Sequence, residues 1–375
     1  MVNDKELSII NGPAKFRFMS YMGDRQGCAH IRIMYPSLLL NLYRDKDNGY
    51  AFEADYTTSF INDPNFYKSY TFVQFQRSAT DQHLRIFQHY IRNIRKLVKV
   101  PIIYEIDDLL QDIPAWNYAS SFYNSNNGAI YKMMEIVDGM TVSTNKLKEI
   151  YSAYCNNIVV IPNHLPKFIW GDVRIDRHHR SISERPRIGW AGSENHFCNI
   201  NSAEYKNGIR GGDFGDKILN FIKKTVDKYC WVFSGACPVE LEDIKDKIEF
   251  HGWKSIFDYP AHLKSLDLDI CVALLSPGIF NESKSNIKCL EYTVIGCPGV
   301  YSDIEPYKDM SCISNDEDGI INHIESLAND IDYRVATFEN DYGKVHDQLF
   351  WEDNGYKNLK AYVSSYLSLF GKGIK

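Results

Sequence analysis

Residues 280–303, FNESKSNIKCLEYTVIGCPGVYSD, set Ser283, Lys284 and Ser285 ahead of an apolar-periodic run, with Glu291 six residues beyond Ser285. If a helix opens near Ser283 or Ser285, its first N–H groups lack intrahelical partners. The summed peptide dipoles place about half a positive charge there, and Lys284 adds a full one. Such a helix start suits a phosphate. A carboxylate at Glu291 cannot bind phosphate, but it can accept hydrogen bonds from a pair of sugar hydroxyls. A nucleotide offers both groups, a diphosphate beside a ribose diol. The alternative on spacing alone is a capped surface helix with scattered charges.

A second pattern lies at 81–99, DQHLRIFQHYIRNIRKLVK. At 100° per residue, Leu84, Ile86, Phe87, Tyr90, Ile91, Ile94, Leu97 and Val98 share one half of a helix. Arg85, Arg92, Arg95, Lys96 and Lys99 share the other, and no acidic residue occurs from His83 to Tyr104. Surface helices usually mix signs to gain i,i+4 pairs. A one-sign face suggests an anionic partner such as nucleic acid or a phospholipid surface. It is equally compatible with a solvated face in an otherwise acidic protein.

The elements that must position these residues alternate. Strands are expected at 15–22, 70–76, 101–106, 138–143 and 156–163, with the 81–99 helix among them. After the charged, aperiodic stretch 167–186, the alternation restarts at RIGWAGSENH (187–196). It continues with a helix at about 215–229, strands at 230–235, 247–253, 268–275 and 298–303, and a helix near 317–329. Short apolar strands alternating with amphipathic helices argue for parallel sheets covered on both faces. The expected architecture is α/β, two doubly wound Rossmann-like domains facing across a cleft. The expected bounds are 1–170 for an N-terminal acceptor-side domain, 171–186 for a linker and 187–345 for a nucleotide-binding domain. A C-terminal helix, 346–375, is expected to pack back on the first domain. Doubly wound sheets bind ligands at the carboxyl ends of their strands.

The 280–303 segment resembles the donor-binding segment of GT-B glycosyltransferases, which carries an S-K-S-x-I-K-x-L-E-Y-like signature. The resemblance assigns the diphosphate to Lys284, beside Ser285, and the donor ribose to Glu291. Many retaining members carry an earlier Glu eight positions before the ribose-binding one. Here that position is Ser283, with Glu282 next to it, so retaining and inverting outcomes stay open. RIGWAGSENH resembles the strand and turn that open the family's donor domain. There Gly192 and Ser193 would let backbone N–H groups approach a phosphate. His196 is a donor contact or a capping histidine. MGDRQGCAHIRIMYP (22–36) resembles the N-terminal Gly-rich loop and helix that face the donor. It offers Gly23, Gly27 and Arg32, the last either neutralising phosphate or sitting in solvent. IIYEIDDLL (102–110) is similar to a strand end of the acceptor domain. Asp107 or Asp108 there is the general base for an acceptor hydroxyl, or a loop or N-cap aspartate.

The resemblance implies a nucleoside-diphosphate sugar as co-substrate, UDP-linked by preference, with no tightly bound cofactor and no essential metal. The Asn-, Asp-, Tyr- and Ile-rich style also resembles large-bacteriophage proteins. GT-B enzymes of such phages glycosylate hydroxymethylated cytosine in duplex DNA, which is the leading acceptor expectation. A bacterial surface glycan or a lipid-linked acceptor is the alternative, and a non-catalytic nucleotide-binding protein is an alternative of another class.

Composition narrows the remaining classes. A net charge of −6 argues against polyanion binding by bulk charge. The nine cysteines form no C-x-x-C pair, and several sit in apolar strands, so they read as reduced core residues of a cytoplasmic protein, host cytoplasm if phage-encoded. No Cys/His cluster has zinc spacing. No apolar run is long enough to span a membrane, and the first residues lack the pattern of a signal peptide. No G-x-G-x-x-G follows a strand with an acidic residue about 20 positions on, which disfavours a dinucleotide oxidoreductase.

Overall fold

Among the described residues the chain builds two all-parallel six-stranded sheets, one in each of two compact units. A computed structural model describes residues 16–42, 52–171, 185–201, 203–208 and 211–371. Most of the expected linker, 171–186, lies outside the described residues. The first unit comprises residues 1–111, 123–163 and 351–375, and the second comprises 112–122 and 164–350.

The first sheet holds β1 (Phe16–Tyr21), β2 (Phe52–Thr57), β3 (Phe72–Gln76), β4 (Ile102–Ile106), β5 (Gly139–Val142) and β6 (Ile158–Val160). Its order is β2-β1-β3-β4-β5-β6. The chain therefore runs outward from β1 to β2, then returns to β1's other side for β3. That reversal makes a switch point between β1 and β3, where loops diverge and leave room for a ligand. Strand β2 was not expected from the sequence. Its register sets Glu53 and Asp55 beside Arg17 and Met19 on the outermost strand, so it lacks the apolar run of its neighbours. The C-terminal helix Asp353–Gly371 covers one face, with Tyr362, Tyr366 and Leu369 in a core shared with Phe18, Phe72 and Ile103. The Phe18 and Phe72 rings stack at 4.9 Å, and Tyr366 stacks on Phe72 at 4.9 Å.

The second sheet holds β7 (Arg187–Gly192), β8 (Cys230–Gly235), β9 (Glu249–Gly252), β10 (Ile270–Ala273), β11 (Gly299–Ser302) and β12 (Ile313–Ser314). Its order, β12-β11-β10-β7-β8-β9, places the switch point between β7 and β10. Ile188, Trp190, Trp231, Val272 and Val300 lie in its core with Ile218, Ile222, Ile320 and Ile324 of the covering helices. Among the described residues no helix is long and apolar enough to cross a membrane. No disulfide is assigned to any of the nine cysteines.

Candidate functional site

In the second unit, the loops after β7 and β10 carry most of the expected donor residues. Residues 280–303 do not form one helix from Ser283. A short helix Ile279–Glu282 ends at Ser283, a turn carries Lys284 and Ser285, and the main helix is Ile287–Val294 with Asn286 at its start. Ser283 is buried, and its hydroxyl donates to the Ile279 carbonyl at 2.7 Å. The phosphate-binding expectation therefore moves from a helix start at Ser283 or Ser285 to this turn. Lys284 is half-buried, with Nζ 4.8 Å from the centre of the Phe280 ring. Among the described residues it has no acidic partner.

Glu291 is buried on the inner side of the Ile287–Val294 helix. Its Oε2 accepts from Lys288 Nζ at 2.9 Å and from the Tyr259 hydroxyl at 3.1 Å. Oε1 has no hydrogen-bond partner among the described residues, which leaves it available to a diol. Burial, reinforced by Glu291, holds the Tyr259 hydroxyl protonated far above the ordinary range. Lys288 and Tyr259 were not singled out from the sequence. The i,i+3 spacing of Lys288 and Glu291 was a readable signal for the first, and nothing local pointed to the second.

Gly192 closes β7, where a Cβ would stand 2.6 Å from the Trp190 ring. The missing side chain is thus required by that indole, whatever else the loop contacts. Ser193 precedes the single turn Glu194–His196. His196 Nδ1 lies 2.7 Å from Asp213 Oδ2. The other oxygen of Asp213 accepts from Ser276 N at 2.7 Å, Ser276 Oγ at 3.0 Å and Asn281 Nδ2 at 3.0 Å. Burial would raise this carboxyl, but the His196 hydrogen bond and the Lys284 charge hold it below the usual carboxylate range. Burial and then Lys284 hold the His196 imidazole below its ordinary value, against the pull of Asp213. The segment 112–122 braces this loop: the Trp116 carbonyl accepts from Asn199 N at 2.8 Å, and Asn117 Nδ2 donates to the Asn195 carbonyl at 2.7 Å. Asp213 lies 17 residues from His196, in a Gly-rich stretch that gave no chemical signal.

In the first unit, the loops after β1, β3 and β4 meet at the other switch point. Arg77, which no local sequence pattern marks, stands at their centre. Its Nη1 donates to Asp107 Oδ1 at 2.9 Å, Asp108 Oδ2 at 3.0 Å and Cys28 Sγ at 3.0 Å. Its backbone φ is +46°, a left-handed value few non-glycine residues adopt. Such strain concentrates at functional positions. The Cys28, Asp107 and Asp108 ligand atoms lie within 4.8 Å of one another, a spacing that could hold a metal ion. Here the guanidinium supplies the positive charge among them. Burial and Asp107 push the Cys28 thiol well up, so it stays protonated. The main chain of this acidic pair is tied down by Ser143 Oγ to the Asp107 carbonyl at 2.7 Å and by the Tyr151 hydroxyl to the Asp108 carbonyl at 3.1 Å. Asp107 is buried and Asp108 half-buried, so Asp108 is the more accessible base.

One expectation needs correction. Arg32 neither faces phosphate nor sits in solvent. It is 4% exposed, and donates to Glu105 Oε1 at 2.7 Å, Asn163 Oδ1 at 2.8 Å and the Ile161 carbonyl. A buried guanidinium needs this full set of acceptors, because leaving it unpaired is costly. Burial pushes the Glu105 carboxyl up to about 7, while Arg32 works against that rise. Gly23 is placed by packing: a Cβ there would stand 2.5 Å from the Gln76 carbonyl oxygen. Gly27 opens the short helix Gly27–Ala29.

The basic stripe also changes. The helix from Asp81 is α-helical to His89, π-helical over Tyr90–Arg95 and α-helical again over Lys96–Val98. The wider i→i+5 turns shift the phase of everything beyond them. Leu97, expected on the apolar side, is 71% exposed. Arg95, expected on the basic side, turns in to an ion pair with Asp138. Arg85, Arg92, Lys96 and Lys99 remain exposed.

No protein-family model matches the chain, and no curated protein matches it. Solved structures do. A glycosyltransferase from Rickettsia africae aligns with a TM-score of 0.60 at 10% identity, covering 95% of this chain and 98% of that one. An α,α-trehalose 6-phosphate synthase from Burkholderia multivorans aligns at 0.51 and 10% identity, over 94% and 99%. A mutant O-GlcNAc transferase from Thermobaculum terrenum aligns at 0.50 and 12% identity, over 96% and 68%. At such identity the likeness establishes the fold, two Rossmann-like domains in one chain, as expected from the strand and helix alternation.

Proposed function

We propose that this protein is a glycosyltransferase that moves a sugar from a nucleoside-diphosphate sugar, UDP-linked by preference, to an acceptor hydroxyl. The observation that carries the reading is the group at the β7–β10 switch point. Lys284, with no acidic partner among the described residues, suits the diphosphate, and the buried Glu291, with one carboxylate oxygen unpartnered among them, suits the ribose diol. The likeness in fold to glycosyltransferases supports it. In this reading Asp108, or Asp107 beside it, takes the proton of the acceptor hydroxyl, and Arg77, which donates to both, holds the two carboxylates in place. In this reading Lys284 and its turn offset the charge of the leaving diphosphate.

The finer reading of the acceptor is duplex DNA bearing hydroxymethylated cytosine. The four exposed cations of the Asp81–Val98 helix region favour it, and the diversion of Arg95 to Asp138 leaves a glycan or lipid-linked acceptor as the alternative. The test is incubation with a panel of nucleotide sugars, read as free nucleoside diphosphate, with and without hydroxymethylated duplex DNA. Release from at least one donor is expected, stimulated by the true acceptor. No release from any donor, together with no nucleoside-diphosphate binding, would overturn the assignment.

A further inference from the structure

We propose that His196 is a proton-linked ligand of the diphosphate: neutral in the unliganded protein, it takes one proton from solvent as a nucleoside diphosphate binds and donates Nε2–H to a phosphate oxygen. This rests on the donor-site reading above and adds a residue whose charge changes with occupancy.

The geometry leaves the imidazole one variable position. Asp213 is ionised and acceptor-only, and its Oδ1 is already filled by three donors from Ser276 and Asn281. Oδ2, 2.7 Å from Nδ1, therefore requires a proton on Nδ1. Nε2 has no hydrogen-bond partner among the described residues, and the side chain is only partly covered, at 19% exposure. In the neutral ring Nε2 presents a lone pair, which repels a phosphate oxygen. In the charged ring it presents N–H, and the contact becomes a charge-assisted hydrogen bond.

The surroundings decide which form prevails. The charged groups acting on His196 are Asp213 from the segment before the Asp216–Thr225 helix, Lys284 from the turn after β10 and Lys288 from the helix beyond it. Glu194 lies on its own turn, and Trp190 of β7 contributes an uncharged ring edge-on at 5.6 Å. Without ligand, burial and the two lysines outweigh Asp213, and the ring stays neutral. A bound diphosphate brings two or three negative charges against Lys284, which removes that opposition and adds an acceptor. Proton uptake and ligand binding then favour each other reciprocally.

The sign follows. Because the complex binds more protons than the free protein, affinity falls as pH rises between the free and bound titration ranges of the ring. The limiting slope is about one decade per pH unit for one linked proton. Above neutrality the ligand's own phosphate is fully ionised and does not contribute.

The experiment is calorimetric titration of the protein with UDP at pH 7.5 and 8.5 in buffers of differing ionisation enthalpy. Uptake approaching one proton per site is expected, with affinity roughly three- to tenfold weaker at the higher pH. His196→Gln should remove both the uptake and the pH slope. Imidazole nitrogen NMR on the unsubstituted protein reads the same event directly, as an Nε2 shift to the protonated range on UDP addition. Binding without uptake, uptake that survives in His196→Gln, or an Nε2 signal unmoved by UDP would each overturn the proposal. Absence of heat and of spectral change with UDP, GDP, ADP and CDP alike would instead overturn the donor site itself, and this proposal with it.

Discussion

Replacing Lys284 by Ala tests whether this lysine binds the diphosphate or serves the fold. Lys284 Nζ rests over the Phe280 ring at 4.8 Å and pairs with no acidic group among the described residues. Binding a diphosphate therefore breaks no ion pair, and the new contact is worth about 1.5–3 kcal/mol as a hydrogen bond to a charged group. Its loss should weaken UDP binding roughly 10- to 150-fold. The protein itself loses only a partly exposed cation–π contact, about 0.5–1 kcal/mol. Lys288 is different, because its Nζ is 2.9 Å from Glu291 Oε2. Lys288→Ala leaves a buried carboxylate facing only the Tyr259 hydroxyl, and should cost about 1–3 kcal/mol of stability. Calorimetry with UDP and thermal melts of both variants make the comparison. Lys284→Ala that binds UDP within about twofold of the unsubstituted protein would refute the assignment of the turn to the diphosphate. An equal loss of melting temperature in both variants would refute the distinction between the two lysines.

Asp108→Asn or Asp107→Asn should cut turnover by about 100- to 10,000-fold while leaving UDP affinity nearly unchanged; full turnover in both would place the base elsewhere. Arg32→Met should destabilise the first unit by about 3–5 kcal/mol, since Glu105 then lies buried without its partner. A urea denaturation midpoint that does not move would contradict that. If duplex DNA is the acceptor, Arg92→Glu with Lys96→Glu should flatten the log–log salt dependence of binding by about two units, at about 0.9 per phosphate contact. DNA binding that is absent at low salt, or unchanged by the double reversal, points to a glycan or lipid-linked acceptor. Burial acts to raise the Glu249 carboxyl, but hydrogen bonds from Arg187 and His251 prevail and pull it down to about 2. A lowered carboxyl stabilises the fold above its unfolded range, near pH 4.3, and that contribution is lost as pH falls towards 2. Glu249→Gln should therefore flatten the fall of melting temperature between pH 5 and 2, and an unchanged profile would count against the pairing.

The alternation of apolar strands with amphipathic helices already specified two parallel α/β sheets, because element type is written in short-range periodicity. The helical placement of Glu291 was legible for the same reason, but the break between Ser283 and Asn286 that leaves Lys284 in a turn was not. Strand β2 was not, since Glu53 and Asp55 break the pattern on an outermost strand that can leave charges at its side. The basic stripe is only partly legible because a wheel of constant angle cannot anticipate the π-helical turns at Tyr90–Arg95 that swing Arg95 inward. The partners of the buried and half-buried charges are far apart along the chain: Arg32 with Glu105, Arg77 with Asp107, and His196 with Asp213. They meet because strand order reverses beside β1 and again beside β7, so loops distant in sequence converge at the same strand ends. Local pattern determines which elements form, whereas the pairing of charges depends on which strands become neighbours, a choice made by long-range packing alone.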